Sequence, residues 1–221
     1  MNTNVPVLTI DGPSGAGKGT ASRAVARKLG WHFLDSGAIY RALAVAVLKA
    51  GIPVEDAAAV TGLASSLDLR FTADDPPAVF LAGEDITGEI PAETCGNTAS
   101  LIAAYSAVRK ALLDKQREFR KFPGLVADGR DMGTVVFPDA PFKVFLTASA
   151  EVRALRRYNQ LMEKGIDVSL DRLTKEIEAR DRRDRERAEA PLVMAEGATL
   201  IDSSDRSIEE VIAKVLSVME G

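Results

Sequence analysis

The run Gly12, Pro13, Ser14, Gly15, Ala16, Gly17 and Lys18 constrains this chain most, because it matches G-x-x-x-x-G-K and sits between two segments of opposite character. Before it, Val5 to Ile10 is apolar and β-branched and ends at Asp11; after it, Thr20 to Leu29 has helical composition, with Gly30 as a stop. The order buried strand, glycine-rich loop, helix has a direct physical consequence. Glycines let successive backbone amides turn inward as an anion-binding nest, the helix N-terminus adds partial positive charge, and Lys18 can reach the outer phosphates of a nucleotide.

The rest of the chain extends this βα rhythm. His32 to Leu34 reads as a second strand, followed by a helix from about Ala38 to Ala50 that Ser36 could cap and that Gly51 and Pro53 close. Leu125 to Ala127, Phe142 to Thr147 and Thr199 to Ile201 are three more short apolar runs bounded by turn residues. The expected architecture is α/β: five parallel strands covered by helices. Between the second and third strands, Leu67 to Phe71 and Ala78 to Leu81 alternate like a hairpin around Asp74, Asp75, Pro76 and Pro77, and a helix from about Ala99 to Phe119 follows. Residues 151–190 are charge-rich and helical, broken at Lys164 to Ser169, and Ser207 with Glu210 forms a capping box for a last helix. One domain of 221 residues is expected. Its core is about 1–60, 120–150 and 195–221, with an insertion at about 61–119 and a helical lid at about 151–190.

Composition removes several alternatives. A single cysteine, Cys95, excludes an internal disulfide and a cysteine metal cluster, and a single histidine, His32, leaves little for histidine-based hydrolysis. His32 is expected to pack at its strand. No metal-ligating side chain is assigned. A net charge of −4 and few aromatics argue against nucleic-acid binding. The absence of a basic, apolar leader or a long apolar run points to a cytoplasmic chain with no membrane partner. Without a heptad seam the chain is expected to be a monomer.

Two groups sit where parallel α/β sheets bind ligands: Asp35 to Arg41 after the second strand, and Asp128 to Gly133 after the third. Arg41 and Arg130 could converge on an acceptor phosphate, for which the guanidinium fork is well shaped. On a helix, Arg180, Asp184 and Arg187 share a face at i, i+4 and i+7, whereas Glu178–Arg182, Asp181–Arg185 and Arg182–Glu186 are spaced as ordinary surface pairs. A mobile helix bringing arginines over a phosphate chain suits phosphoryl transfer.

Together these motifs resemble the bacterial-type cytidylate kinases, a family of P-loop nucleoside monophosphate kinases. The resemblance runs through residues 10–20, 34–41, 127–141, 180–192 and 201–203 and includes the insertion near Leu67 to Thr87. It implies phosphoryl transfer from MgATP to CMP or dCMP. In this family pattern the loop Gly12 to Thr20, including Gly19, holds ATP, and Arg157 resembles a lid arginine on the ATP side. Ser100, Arg109 and Asp131 match positions that read cytosine; Arg41, Arg130 and Arg180 match positions at the CMP phosphate. Asp184 matches a ribose contact, Arg187 a contact near the sugar, and Ser36 and Tyr40 pocket residues. Lys18, Arg130 and Arg180 are the implied catalytic set. Because Gly19 follows Lys18, Thr20 is expected to bond an inner phosphate, with Mg2+ held by nucleotide oxygens, water and Ser14. Kinases of other small acceptors share the loop, and an ATP-binding module without enzymatic activity stays open at this point.

Overall fold

A computed structural model of the chain describes residues 5–72, 77–163 and 165–220. The expected hairpin turn at Asp74, Asp75 and Pro76, and Lys164 in the expected interhelical break, lie outside the described residues. The chain divides into two compact units: one formed by the chain before Asp35 and after Gln116, the other by Asp35–Gln116.

The first unit carries a five-stranded parallel sheet in the order β2-β6-β1-β7-β8. Its strands are β1 (Val7–Asp11), β2 (His32–Asp35), β6 (Leu125–Gly129), β7 (Phe142–Thr147) and β8 (Thr199–Asp202). β1 is central, paired with β6 (Val7 opposite Leu125, Asp11 opposite Gly129) and with β7 (Asp11 opposite Phe145). Every residue of β1 and β6 is buried, as strands covered on both faces require. Leu8, Ile10, Val126, Val144, Leu146 and Ile201 form the sheet side of a core closed by α1 (Lys18–Leu29) and α8 (Ile208–Ser217). Ser207 and Glu210 make the expected capping box at the start of α8. The charge-rich block forms two helices packed on each other, α6 (Ala150–Met162) and α7 (Leu170–Glu186), one on each side of the expected break.

The second unit departs further from expectation. Helix α2 (Ser36–Lys49) is capped by Asp35, whose Oδ1 accepts from the Ala38 amide at 3.0 Å, and not by Ser36. A carboxylate one residue earlier reaches the first-turn amides, so the Ser36 hydroxyl instead donates to Gln116 Oε1 at 2.7 Å. A helix not anticipated, α3 (Ala57–Ser65), starts on an Asp56 cap. The hairpin has a third strand: β3 (Leu69–Phe71), β4 (Val79–Leu81) and β5 (Glu84–Asp85) form a small antiparallel sheet. The single helix expected from Ala99 to Phe119 is two, α4 (Glu93–Ile102) and α5 (Ser106–Arg117). Between them Ala104 and Tyr105 bond back to Leu101 and Ile102, a tighter turn, and Tyr105 donates its hydroxyl to the Val54 carbonyl. Among the described residues no helix is long and apolar enough to cross a membrane.

Candidate active site

The loop between β1 and α1 lies at the carboxyl edge of the sheet. A Cβ on Gly12 would stand 1.9 Å from the Leu146 carbonyl oxygen, and its φ of 151° belongs to glycine, so the chain can leave β1 here only without a side chain. Two carbonyls of the loop are tied down from outside. Arg153 Nη1 donates to Ser14 O at 3.0 Å, and the Ser203 hydroxyl donates to Ala16 O at 2.9 Å. Because a peptide is planar with its N–H opposite its C=O, fixing these oxygens aims the amides of Gly15 and Gly17 the other way. The nest is therefore set by tertiary contacts as well as by glycine. Lys18 is buried, its Nζ donating to Pro13 O at 3.0 Å and lying 3.7 Å from Asp128 Oδ1.

Arg153 is a residue that the sequence reading missed. Buried on α6, it forks onto Asp181 of α7 (Nη1 to Oδ1 3.0 Å, Nη2 to Oδ2 2.5 Å) and gives its Nε to Ala148 O. Asp181 is therefore not half of a surface pair with Arg185. It is 3% exposed and engaged by Arg153, while Arg185 Nη2 stands 3.9 Å away. On the same helix Arg156 donates to the hydroxyl and carbonyl of Ser203, bracing the other anchor. Arg157, four residues beyond Arg153, is half-buried on α6. That spacing was the available signal: two arginines one turn apart behind the Ser149 cap share a face.

The segment after β6 gathers the second charged group. Arg130 Nε donates to Asp184 Oδ2 at 2.9 Å. Burial alone would push the Asp184 carboxyl up; Arg130, then Arg180 and Arg187, hold it below the ordinary carboxylate range. Burial likewise works against the charge on Arg130, and Asp184 more than restores it. Arg187 Nη2 lies 3.9 Å from Asp131 Oδ1 and its Nε donates to Ala190 O. α7 ends at Glu186 and Arg187 is its cap in extended conformation, so Arg187 approaches Asp131 from beyond the helix and not from the shared helical face. Arg180 and Asp184 do share that helix.

Asp11, read from sequence only as the end of a strand, is a buried carboxylate whose Oδ1 and Oδ2 accept the amides of Met132 and Gly133, each at 2.8 Å. Burial pushes it from the ordinary 3.8 up to about 7; the Gly133 and Met132 amides oppose the rise, Asp131 adds to it and Lys18 opposes it. The folded state thus holds this proton more tightly than the unfolded chain. The group's contribution to stability is full below about pH 4 and declines as pH climbs towards 7, a difference of roughly 4 kcal/mol. In urea denaturation between about pH 4 and pH 8, wild type should lose stability relative to Asp11→Asn by up to that amount. A pH-independent difference would mean that the carboxyl is charged throughout.

In the second unit Tyr40 and Arg109 are both buried, with the Arg109 guanidinium 5.8 Å from the centre of the Tyr40 ring, a cation–π distance. Arg109 Nη1 also faces Ala103 O at 3.5 Å. Ser100 is buried on α4. Arg41 Nη1 donates to Ile90 O at 2.6 Å, and a Cβ on Gly96 would meet its guanidinium at 3.0 Å, so Gly96 leaves room for that head. Cys95 is buried beside it, its thiol donating to Arg41 O. His32 does not pack into the sheet: it is exposed, with Nε2 2.8 Å from Phe122 O.

The family model described as cytidylate kinase matches residues 8–221. A cytidylate kinase of Methylococcus capsulatus is 68% identical over 220 residues, covering 100% of this chain and 99% of the relative. Similar proteins of that name from Klebsiella pneumoniae (58% identical, 98% of this chain and 96% of the relative covered) and Aeromonas salmonicida (57% identical, 100% and 96%) align over nearly their full length.

Proposed function

This chain belongs to the cytidylate kinase family and is a CMP kinase, a phosphotransferase, and from that premise we propose that it moves the terminal phosphoryl group of MgATP to CMP or dCMP, giving CDP or dCDP and ADP. The observation that carries the residue-level reading is the loop Gly12 to Gly17. Its amides are preset by Arg153 and Ser203, with Lys18 folded over it and Asp128 beside the lysine. Such a cradle fits a polyphosphate and needs no reorganisation when charge develops. ATP is assigned to Gly12 through Thr20, with Arg157 as its lid contact.

Following the family pattern, the acceptor is assigned to Ser36, Tyr40, Arg41, Ser100, Arg109, Arg130, Asp131, Arg180, Asp184 and Arg187. Arg41, Arg130 and Arg180 take the CMP phosphate, and Ser100, Arg109 and Asp131 take the base. Asp184 takes the ribose, with Arg187 near the sugar and Ser36 and Tyr40 lining the pocket. Residues 61–119 act as the acceptor-side insertion and α6–α7 as the lid. The attacking phosphate oxygen is already anionic at neutral pH, so no general base is required. Lys18, Arg130 and Arg180 position the reacting groups and neutralise charge in an in-line displacement. Among the described residues no three His, Cys, Asp or Glu side chains cluster as a metal cage. Mg2+ is assigned to nucleotide oxygens and water, with the Ser14 hydroxyl on the same loop. When bound, Mg2+ would supply charge withdrawal from the phosphoryl oxygens. The enzyme is taken to act as a cytoplasmic monomer.

A panel of nucleoside monophosphates with MgATP in a coupled ADP-release assay tests the reading. CMP and dCMP should head the panel, with UMP well below; another acceptor at the top would overturn it. Asp131→Ala should cut the preference for CMP over UMP by roughly tenfold, since a carboxylate that accepts from the cytosine amino group cannot do so from a uracil oxygen. An intact preference would show that the base is read elsewhere.

A further inference from the structure

The turn that follows β6 is capped from an unusual place. Met132–Val136 form a single π-helical turn, closed by Val136 N to Asp131 O and Phe137 N to Met132 O. Asp131 occupies the position before the turn, where an aspartate ordinarily bends its own carboxylate onto the first free amides. It does not do so here: its side chain makes no capping hydrogen bond. Those amides, Met132 and Gly133, are taken instead by Asp11, at the end of the neighbouring strand and 2% exposed. Glycine at 133 suits the close packing there, because a Cβ would stand 2.9 Å from Thr9 Oγ1 and 3.2 Å from the Ala195 Cβ. Turn and strand end are thus locked in register, and the cap is supplied before Asp131 can supply it.

We propose that Asp11 is a specificity-positioning residue: by capping Met132 and Gly133 itself, it spares the Asp131 carboxylate from serving as the cap of this turn, so that Asp131 can serve the base of the acceptor. The two jobs, holding the turn and reading a ligand, compete for one aspartate side chain, and the strand end removes the competition. Asparagine at position 11 offers one acceptor oxygen and an NH2 group that cannot accept, so one amide loses its partner. Asp131 occupies the ordinary capping position of this turn, so its carboxylate is the local replacement, and capping draws it away from the ligand. The proposal rests on the assignment of Asp131 to cytosine.

The test is a double-mutant cycle over Asp11→Asn and Asp131→Ala, reading kcat and KM for CMP, UMP and ATP at about pH 8, where the Asp11 carboxyl is ionised in wild type. Asp11→Asn should lower the CMP-over-UMP ratio of kcat/KM by roughly tenfold, chiefly through KM for CMP, with KM for ATP held within about twofold. In the Asp131→Ala background the same substitution should leave the ratio unchanged. A full effect that persists in that background, or equal losses in CMP and ATP use, overturns the proposal, because a merely loosened fold would behave so. If Asp131→Ala erodes the ratio and Asp11→Asn does not, the positioning role falls while the assignment of Asp131 stands. If Asp131→Ala alone leaves the ratio intact, both fall. Should Asp11→Asn not fold, Asp11→Ser, which retains one small acceptor, goes through the same cycle and is read in the same way.

Discussion

Replacing Lys18 with methionine should lower kcat by on the order of a thousandfold while changing KM for CMP by no more than a few fold. The side chain is buried, so a methionine of similar length preserves its packing and the substitution removes mainly the charge and the bond to Pro13 O. That charge lies on the loop whose amides are aimed by Arg153 and Ser203, whereas every residue assigned to CMP belongs to another segment. Loss of a cation that follows the transferring group depresses the chemical step; loss of one that merely binds raises KM. Steady-state kinetics with each substrate varied in turn separates the two, and an unchanged kcat would remove Lys18 from the chemistry.

Asp181→Ala should lower the free energy of unfolding by about 3–5 kcal/mol, because it strands the Arg153 guanidinium in the interior without its carboxylate. Both side chains are at most 4% exposed, and the fork between them is bidentate. The double replacement Arg153→Met with Asp181→Leu should recover most of that loss, since two buried charges leave together and apolar volume takes their place. Activity should not recover. Without Arg153 the Ser14 carbonyl loses its donor, the loop amides lose their aim, and kcat/KM for ATP should stay about a hundredfold down. Urea denaturation and kinetics on the same three proteins check both halves. A stable double variant with wild-type kinetics would reduce the pair to a structural fastening.

What the sequence disclosed was local. Strand, loop and helix at Val5 to Leu29 are written in adjacent residues, as is the Ser207–Glu210 box, and both needed only short-range chemistry to read. What it concealed was pairing at a distance. Asp181 has an arginine four residues on, and that spacing reads as a surface pair until Arg153 on another helix takes the carboxylate. Asp11 looks like an ordinary strand end because the amides it caps lie more than a hundred residues later. The Ser36 cap failed for a subtler reason: two capping residues stood side by side, and only the backbone path decides which one reaches the first turn. Of the site assignments, the family pattern named Arg130, Asp131 and Asp184. It did not name Asp11, Arg153 or Ser203, which are assigned to no ligand and hold backbone groups of the segments that are.

The central position of β1 bears on how the chain is made. Its hydrogen-bonding neighbours are β6 and β7, so β1 finds its first partner only after Gly129 has emerged from the ribosome and its second only after Thr147. At roughly 10 residues per second, an apolar segment waits unpaired for on the order of ten seconds in every nascent molecule. Translation speed and chaperone access are therefore part of the biology of this sheet in a way that they would not be for a fold whose earliest strand sat at an edge.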